Sequence, residues 1–235
     1  MTRIFFSWDD GHPDDFKIKD LFEKYEIPAI LFIPKNNLEN EVVSEIDIKK
    51  LFSSIINIGA HTYNHSYLTE LTKDQIIIEL EIGKKYLENI LTMPIKDFCL
   101  PGGKYNKFII QQGLKYYSTI RTAKTLCVHP SLPIIDTTFH FYPRGKKSLL
   151  YNSFINEMSI FPYIALNIKK YSYFSIIKHF IEYSIVNNKC HDIMIWGHSW
   201  ELSKMDLWKE LESLLIFINK NYKSNCFSYS ALIKN

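Results

Sequence analysis

Short, nearly continuous apolar runs alternate along the chain with longer stretches in which apolar residues recur every three or four positions. The runs at 4–8, 29–33, 55–60, 97–100, 117–121 and 193–196 are too short for stable helices and read as buried strands. The stretches at 14–25, 44–54, 72–91, 107–116, 172–187 and 204–221 carry the helical period. The first has Phe16, Ile18, Leu21, Phe22 and Tyr25 on one stripe. The third opens with Thr72 and, three residues on, Gln75, which predicts a reciprocal capping box. Residues 122–147, with Pro130, Pro133 and Pro143, follow neither period, and 226–228 read as a last strand.

Strands alternating with helices predict a parallel α/β sheet, closed as a barrel or doubly wound. Four chemically loaded segments fall at the carboxyl ends of predicted strands: Ser7-Trp8-Asp9-Asp10-Gly11, Gly59 to His65, Phe98 to Gly103, and Trp196 to Trp200. In a parallel barrel the carboxyl ends of all strands share one rim, and that rim hosts active sites.

The 235 residues, 46% of them hydrophobic, suit one domain spanning 1–235 with a substantial core. A net charge of +3 and the lack of basic clusters interleaved with aromatics argue against a nucleic-acid partner. No apolar stretch nears the roughly 18–20 residues that span a bilayer. Cys99, Cys127, Cys190 and Cys226 form no CxxC pair and read as reduced thiols. With a strand predicted from residue 4 and no room for a leader before it, the expected location is cytoplasmic.

The four strings carry the chemistry. Asp10, His61 and His65 offer one oxygen and two nitrogens, a divalent-metal set that leaves coordination positions open. The four-residue spacing of His61 and His65 would aim both rings one way on a helical turn. Asp9, beside the ligand, is free to act as a base. His198, after an apolar strand, is placed to act as a general acid. The Pro101-Gly102-Gly103 turn could turn a backbone N–H towards an oxyanion. His12 adjoins the Asp-Asp-Gly turn, and Trp8, Tyr63, Tyr105, Trp196 and Trp200 flank the motifs as candidate walls for a sugar. His129, His140, His179 and His191 read as surface or core histidines.

In order and spacing, these strings resemble the motifs of the polysaccharide deacetylase family (carbohydrate esterase family 4, the NodB homology domain), and residues 9–34 resemble the opening of its members throughout. The resemblance implies a distorted (β/α), TIM-like barrel with outer helices. It makes Asp9 the catalytic base, Asp10, His61 and His65 the metal ligands, Gly102 the oxyanion donor and His198 the acid. It implies one divalent ion, zinc being the one expected, and an acetylated sugar as substrate. Two departures stand out. Cys99 occupies the place of an arginine that steadies the family's base, and Arg121 and Arg144 are the candidates to supply that charge from another strand. No match to the family's Asp-plus-Trp motif precedes His198.

The expected function is therefore metal-dependent hydrolysis of an acetyl group from an N-acetylated sugar or glycan precursor. Water activated by the metal would attack, Asp9 would take its proton and His198 would protonate the leaving amine. Trp8, His12, Tyr105, Arg121, Arg144 and Trp200 are expected around the substrate. Two rivals are a non-catalytic glycan-binding module on the same fold and a hydrolase of non-sugar amides.

Overall fold

The structure, a computed structural model, describes residues 1–128 and 132–232. In chain order the elements are β1 (Arg3–Asp9), α1 (Asp15–Tyr25), β2 (Ala29–Ile33), α2 (Glu45–Leu51), β3 (Ile56–Ala60), α3 (Lys73–Leu91), β4 (Asp97–Cys99), α4 (Lys107–Tyr116) and β5 (Thr119–Arg121). Then come β6 (Ile134–Ile135), β7 (Phe139–His140), α5 (Lys146–Asn156), α6 (Phe161–Asn167), α7 (Tyr173–Asn187), β8 (Asp192–His198), α8 (Ser199–Lys204) and α9 (Trp208–Asn221). The strands form one sheet in the order β6-β5-β4-β3-β2-β1-β8-β7. Every ladder in it is parallel. The sheet curls into a (β/α) barrel-like form with helices outside, as the sequence implied. It stays open at a seam: no ladder joins β6 to β7 among the described residues.

Side chains alternate across a strand, so a strand lined by apolar residues on both faces must feed two cores. On β1, Ile4, Phe6 and Trp8 join the large core between sheet and helices. Phe5 points the other way, into a smaller core inside the curl with Ile30, Phe32, Cys99, Met194 and Tyr229. Tyr229 packs edge-on to Phe5 and Phe32, at 6.2 and 5.7 Å between ring centroids. The same parity sends Asp9 inward at the carboxyl end of β1 and leaves Trp8 facing α1, against Phe22.

Several local expectations shift. The Thr72–Gln75 capping box is present, with α3 beginning at Lys73. The helix read over 44–54 runs only from Glu45 to Leu51, with Ser44 as N-cap. The helix expected from 204 begins at Trp208, because a separate short helix, α8, precedes it and ends at Lys204. The strand expected at 226–228 amounts to one isolated bridge, between Ile4 and Cys226. The irregular 122–147 segment contains the two shortest strands, β6 and β7. His129 lies outside the described residues.

Candidate active site

The site begins where β1 stops. Asp10 has φ +80° and Gly11 has φ +62°, so the chain leaves the strand through a sharp left-handed turn. Aspartate tolerates that region better than most residues, and glycine enters it freely. At Gly11 a side chain would also meet Ile33 Cγ2 at 2.7 Å. The turn throws neighbouring carboxylates to different partners.

Asp10 faces the loop after β3. Its Oδ1 lies 3.0 Å from His65 Nε2 and 3.5 Å from His61 Nε2. This oxygen is buried and accepts no well-directed hydrogen bond. Its Oδ2 accepts the indole N–H of Trp200 at 2.8 Å. Burial works to raise the Asp10 pKa, but the imidazoles of His61 and His65, with His198 nearby, outweigh it and hold the carboxyl far below the usual range. His61 Nδ1 lies 2.9 Å from the Cys99 carbonyl, to which it can only donate, and that leaves Nε2 as the lone pair turned to Asp10. Burial lowers the His61 pKa against the pull of the carboxylates, favouring the neutral, ligating form.

His61 and His65 do not share a helical turn. The segment is irregular, with Thr62 at φ +61° and His65 at φ +53°. Glu79 of α3 fixes it instead, accepting the amides of Tyr63 and Asn64 at 2.9 Å each and the Asn64 side chain at 2.6 Å. Thr62 Oγ1 adds a bond from the Ser66 amide at 3.2 Å.

Asp9 is held from the other side. Its Oδ1 accepts from Arg121 on β5, a residue 1% exposed, and its Oδ2 lies 3.7 Å from the Cys99 thiol. Arg121 sits directly across the ladder from Cys99. The charge missing at position 99 thus comes from the next strand at the same level of the barrel. The guanidinium also lies 4.7 Å from the Trp196 ring centroid.

His198 closes the opposite wall. Its Nδ1–H donates to Glu201 Oε2 at 2.8 Å, and its Nε2 lies 4.0 Å from Asp10 Oδ2. The same Glu201 oxygen lies 2.8 Å from His140 Nε2, and Arg144 donates to His140 Nδ1 at 2.8 Å. Arginine can only donate, so His140 is neutral with its proton on Nε2. Burial lowers the His140 pKa in accord with that form. Burial opposes the charged form of His198 too, but Glu201, Asp10 and Asp9 prevail and raise its pKa. Burial would raise Glu201, yet the two histidines pull it down to about 2.

These groups line one cavity of about 340 Å³. Of the expected residues it contains Asp9, Asp10, His61, His65, Gly102, Arg121, Arg144, Trp196, His198 and Trp200. Trp8, His12 and Tyr105 are not among its lining. Trp8 is buried behind the sheet, His12 accepts the Asp14 amide at 3.1 Å at the start of α1, and Tyr105 is exposed. Gly102, at φ +62°, abuts Tyr67, whose ring carbon a Cβ would meet at 2.6 Å. Glu201, Tyr67 and Glu39 join the wall without having been singled out, and His140, a surface or core histidine by sequence, joins it too. Glu201 had a local signal, three residues after His198 on an incipient helix; His140 had none.

Among the described residues, three clusters have ligand-type atoms within 4.8 Å of one another: Asp10-His61-His65, Asp9-His61-Cys99 and His140-His198-Glu201. In the third, the groups already satisfy each other. In the second, Asp9 is taken by Arg121 and the His61 Nδ1–H by a carbonyl. Only the first brings a buried carboxylate oxygen that accepts no well-directed hydrogen bond together with two imidazole Nε2 atoms, and that set of oxygen and nitrogen ligands fits a divalent ion.

Residues 2–117, about half of this chain, match the polysaccharide deacetylase family, through a family model of that description. They supply Asp9, Asp10, His61, His65 and the Pro-Gly-Gly turn. Among named members of related sequence, the Bacillus subtilis protein "Putative polysaccharide deacetylase YxkH" is 27% identical over 106 residues, 44% of this chain and 38% of its own length. YlxY of the same organism is 28% identical over 94 residues, covering 40% of this chain and 28% of YlxY. The chain thus matches well under half of either relative. Solved structures of the deacetylase family share the fold. A Bacillus anthracis CE4 family pseudoenzyme aligns with 98% of this chain and 65% of its own at TM-score 0.61 and 11% identity. A family 4 carbohydrate esterase from Streptomyces lividans in complex with acetate aligns with 92% of this chain and 89% of its own at TM-score 0.58 and 12% identity. Among the described residues, no helix is long and apolar enough to cross a membrane.

Proposed function

We propose that this chain is a metal-dependent hydrolase that removes an acetyl group from an N-acetylated sugar, and that residues 1–235 act as one domain around the site. The observation that carries this reading is Asp10, His61 and His65 meeting at one point while Arg121 holds Asp9 apart, uncommitted to that point. Asp10, His61 and His65 would hold the ion, zinc first among the candidates. Such an ion supplies a more acidic water and a polarised acetyl carbonyl.

The chain's own residues do the rest. Asp9, oriented by Arg121, accepts the proton of the attacking water. The Gly102 N–H, presented by a left-handed turn that only a residue without a side chain fills beside Tyr67, stabilises the oxyanion. His198 donates its Nε2 proton to the departing amine, because Glu201 holds its other nitrogen and favours the charged ring. The amine leaves neutral and acetate is released. Trp200 and Arg144 border the space left for the sugar.

A binding module without chemistry is the rival that the pseudoenzyme neighbour makes concrete. Here the positioned base and a histidine backed by Glu201 speak against it, since binding needs neither. Acetate release from a panel of acetylated sugars and non-sugar amides, with elemental analysis of the purified protein, tests the reading. Asp9→Asn should keep the metal and lose about 10²–10⁴-fold in kcat. Asp10→Ala and His61→Ala should lose metal and activity together. Wild-type turnover in Asp9→Asn would overturn the assignment of the base.

A further inference from the structure

A second cavity, of about 370 Å³, lies beside the first. Ala123, His140 and Arg144 line both, so the two adjoin across the His140–Arg144 pair. The second is bounded by the chain leaving β5 on one side and by α5 on the other. Its walls are cross-linked: Asn156 Nδ2 donates to the Thr125 carbonyl at 2.8 Å, Thr137 Oγ1 to the Lys124 carbonyl at 2.9 Å, and the Tyr173 hydroxyl to the His140 carbonyl at 2.6 Å. A cavity braced in this way is formed before any ligand arrives.

Its charge is one-sided. Among the described residues Lys124 and Arg144 line it and no carboxylate does; Ser148, Asn152 and Asn156 supply neutral polar groups. Lys124 has Asp136 at 3.6 Å outside the cavity. Arg144 spends one nitrogen on His140 Nδ1, a neutral acceptor, and stacks against Tyr142 at 5.8 Å. Among the described residues no carboxylate pairs with it. From 137 to 156 the sequence holds Arg144, Lys146 and Lys147 and no acidic residue. An exposed guanidinium with unspent N–H donors and no carboxylate bonded to it directly, at the junction of two cavities, suits the forked geometry of a carboxylate or phosphate.

We infer that the second cavity receives an anionic group, a carboxylate or a phosphate, carried on the unit attached to the acetylated sugar. The inference rests on the deacetylase reading, which puts the acetyl group in the first cavity and so places its neighbour across Arg144. The substrate is then an acidic glycan unit or a phosphate-linked sugar, and a free neutral monosaccharide fills only half of the site.

The test is short-contact surface plasmon resonance on the metal-loaded protein. The ligands are N-acetylglucosamine, diacetylchitobiose, a glucuronyl–N-acetylglucosamine disaccharide and UDP-N-acetylglucosamine. At low salt at least one anionic ligand should bind about tenfold or more tighter than diacetylchitobiose. Preference for the uronate assigns a carboxylate, and preference for the nucleotide sugar a phosphate. The advantage should vanish in Arg144→Gln and shrink in Lys124→Gln, so a folding defect in the first variant leaves the second to decide. Equal affinity for neutral and anionic ligands, or a preference that both variants keep, overturns the proposal. An intact anion preference with no acetate released from any ligand would instead refute the hydrolase reading and leave the pocket standing.

Discussion

Asp9 and Asp10 are adjacent and chemically identical, and their surroundings give them different work. Asp9 has a guanidinium; Asp10 has two imidazoles and an indole N–H. Removing Arg121 leaves the Asp9 charge buried without a partner, so Arg121→Met should cost about 3–5 kcal/mol in a denaturant titration. Arg121→Lys should recover only part of that, since an ammonium lacks the planar fork. Trp200→Phe keeps an aromatic ring, though a smaller one, and deletes the bond to Asp10 Oδ2. It should weaken metal binding about 10–100-fold in chelator competition, even with the fold intact. The sequence exposed Asp9, Asp10, His61, His65 and His198 because each sits in a short polar string after an apolar strand. It narrowed the missing charge to Arg121 or Arg144 and could not choose, since the choice depends on which strand lies next to β4. Trp8 misled by proximity: one step along a strand reverses the face.

Elements set where those side chains point. The loop after β3 owes its shape to α3, through Glu79, a residue with nothing in the sequence to mark it. Glu79→Ala removes three hydrogen bonds to the loop at once and should destabilise the protein by about 3 kcal/mol while weakening metal affinity. Thr72→Ala, at the outer end of the same helix, should cost only about 1 kcal/mol and leave metal affinity alone. Comparing the two variants separates support of the loop from general loss of helix stability. The strong helical periods, α1, α3, α4 and α7, were legible because an amphipathic stripe needs no partner to be recognised. β6 and β7 were not. At two residues each they carry no period, and they exist because β5 and β8 offer their edges for pairing.

At the scale of the molecule, the curl of the sheet gathers charged groups into one mouth, and stability should answer to pH accordingly. Asp15, fully buried at the start of α1, is pushed well above the usual carboxylate range chiefly by burial, which Ser199 opposes and the charges of Asp10 and Asp9 assist. A raised folded-state pKa means that Asp15 costs stability as pH climbs past about 4, the unfolded value. Asp15→Asn should therefore gain in melting temperature over wild type increasingly above that pH and match it below. Glu201 has the opposite sign. Its folded-state value of about 2 lies under the ordinary 4.5, so its contribution is present above 4.5 and lost as pH falls from there through 2. Glu201→Gln should flatten that acid limb. The sequence by itself determined the alternation of strand and helix, the parallel sheet, and the four loaded strings at strand ends, because periodicity and local turn chemistry are properties of neighbouring residues. Only the tertiary structure decided that Arg121 serves Asp9, that Glu201 and His140 stand behind His198, and that a basic cavity adjoins the site. Those pairings join residues brought together by strand order and by the inward parity of each strand, and neither quantity is carried by any short stretch of chain.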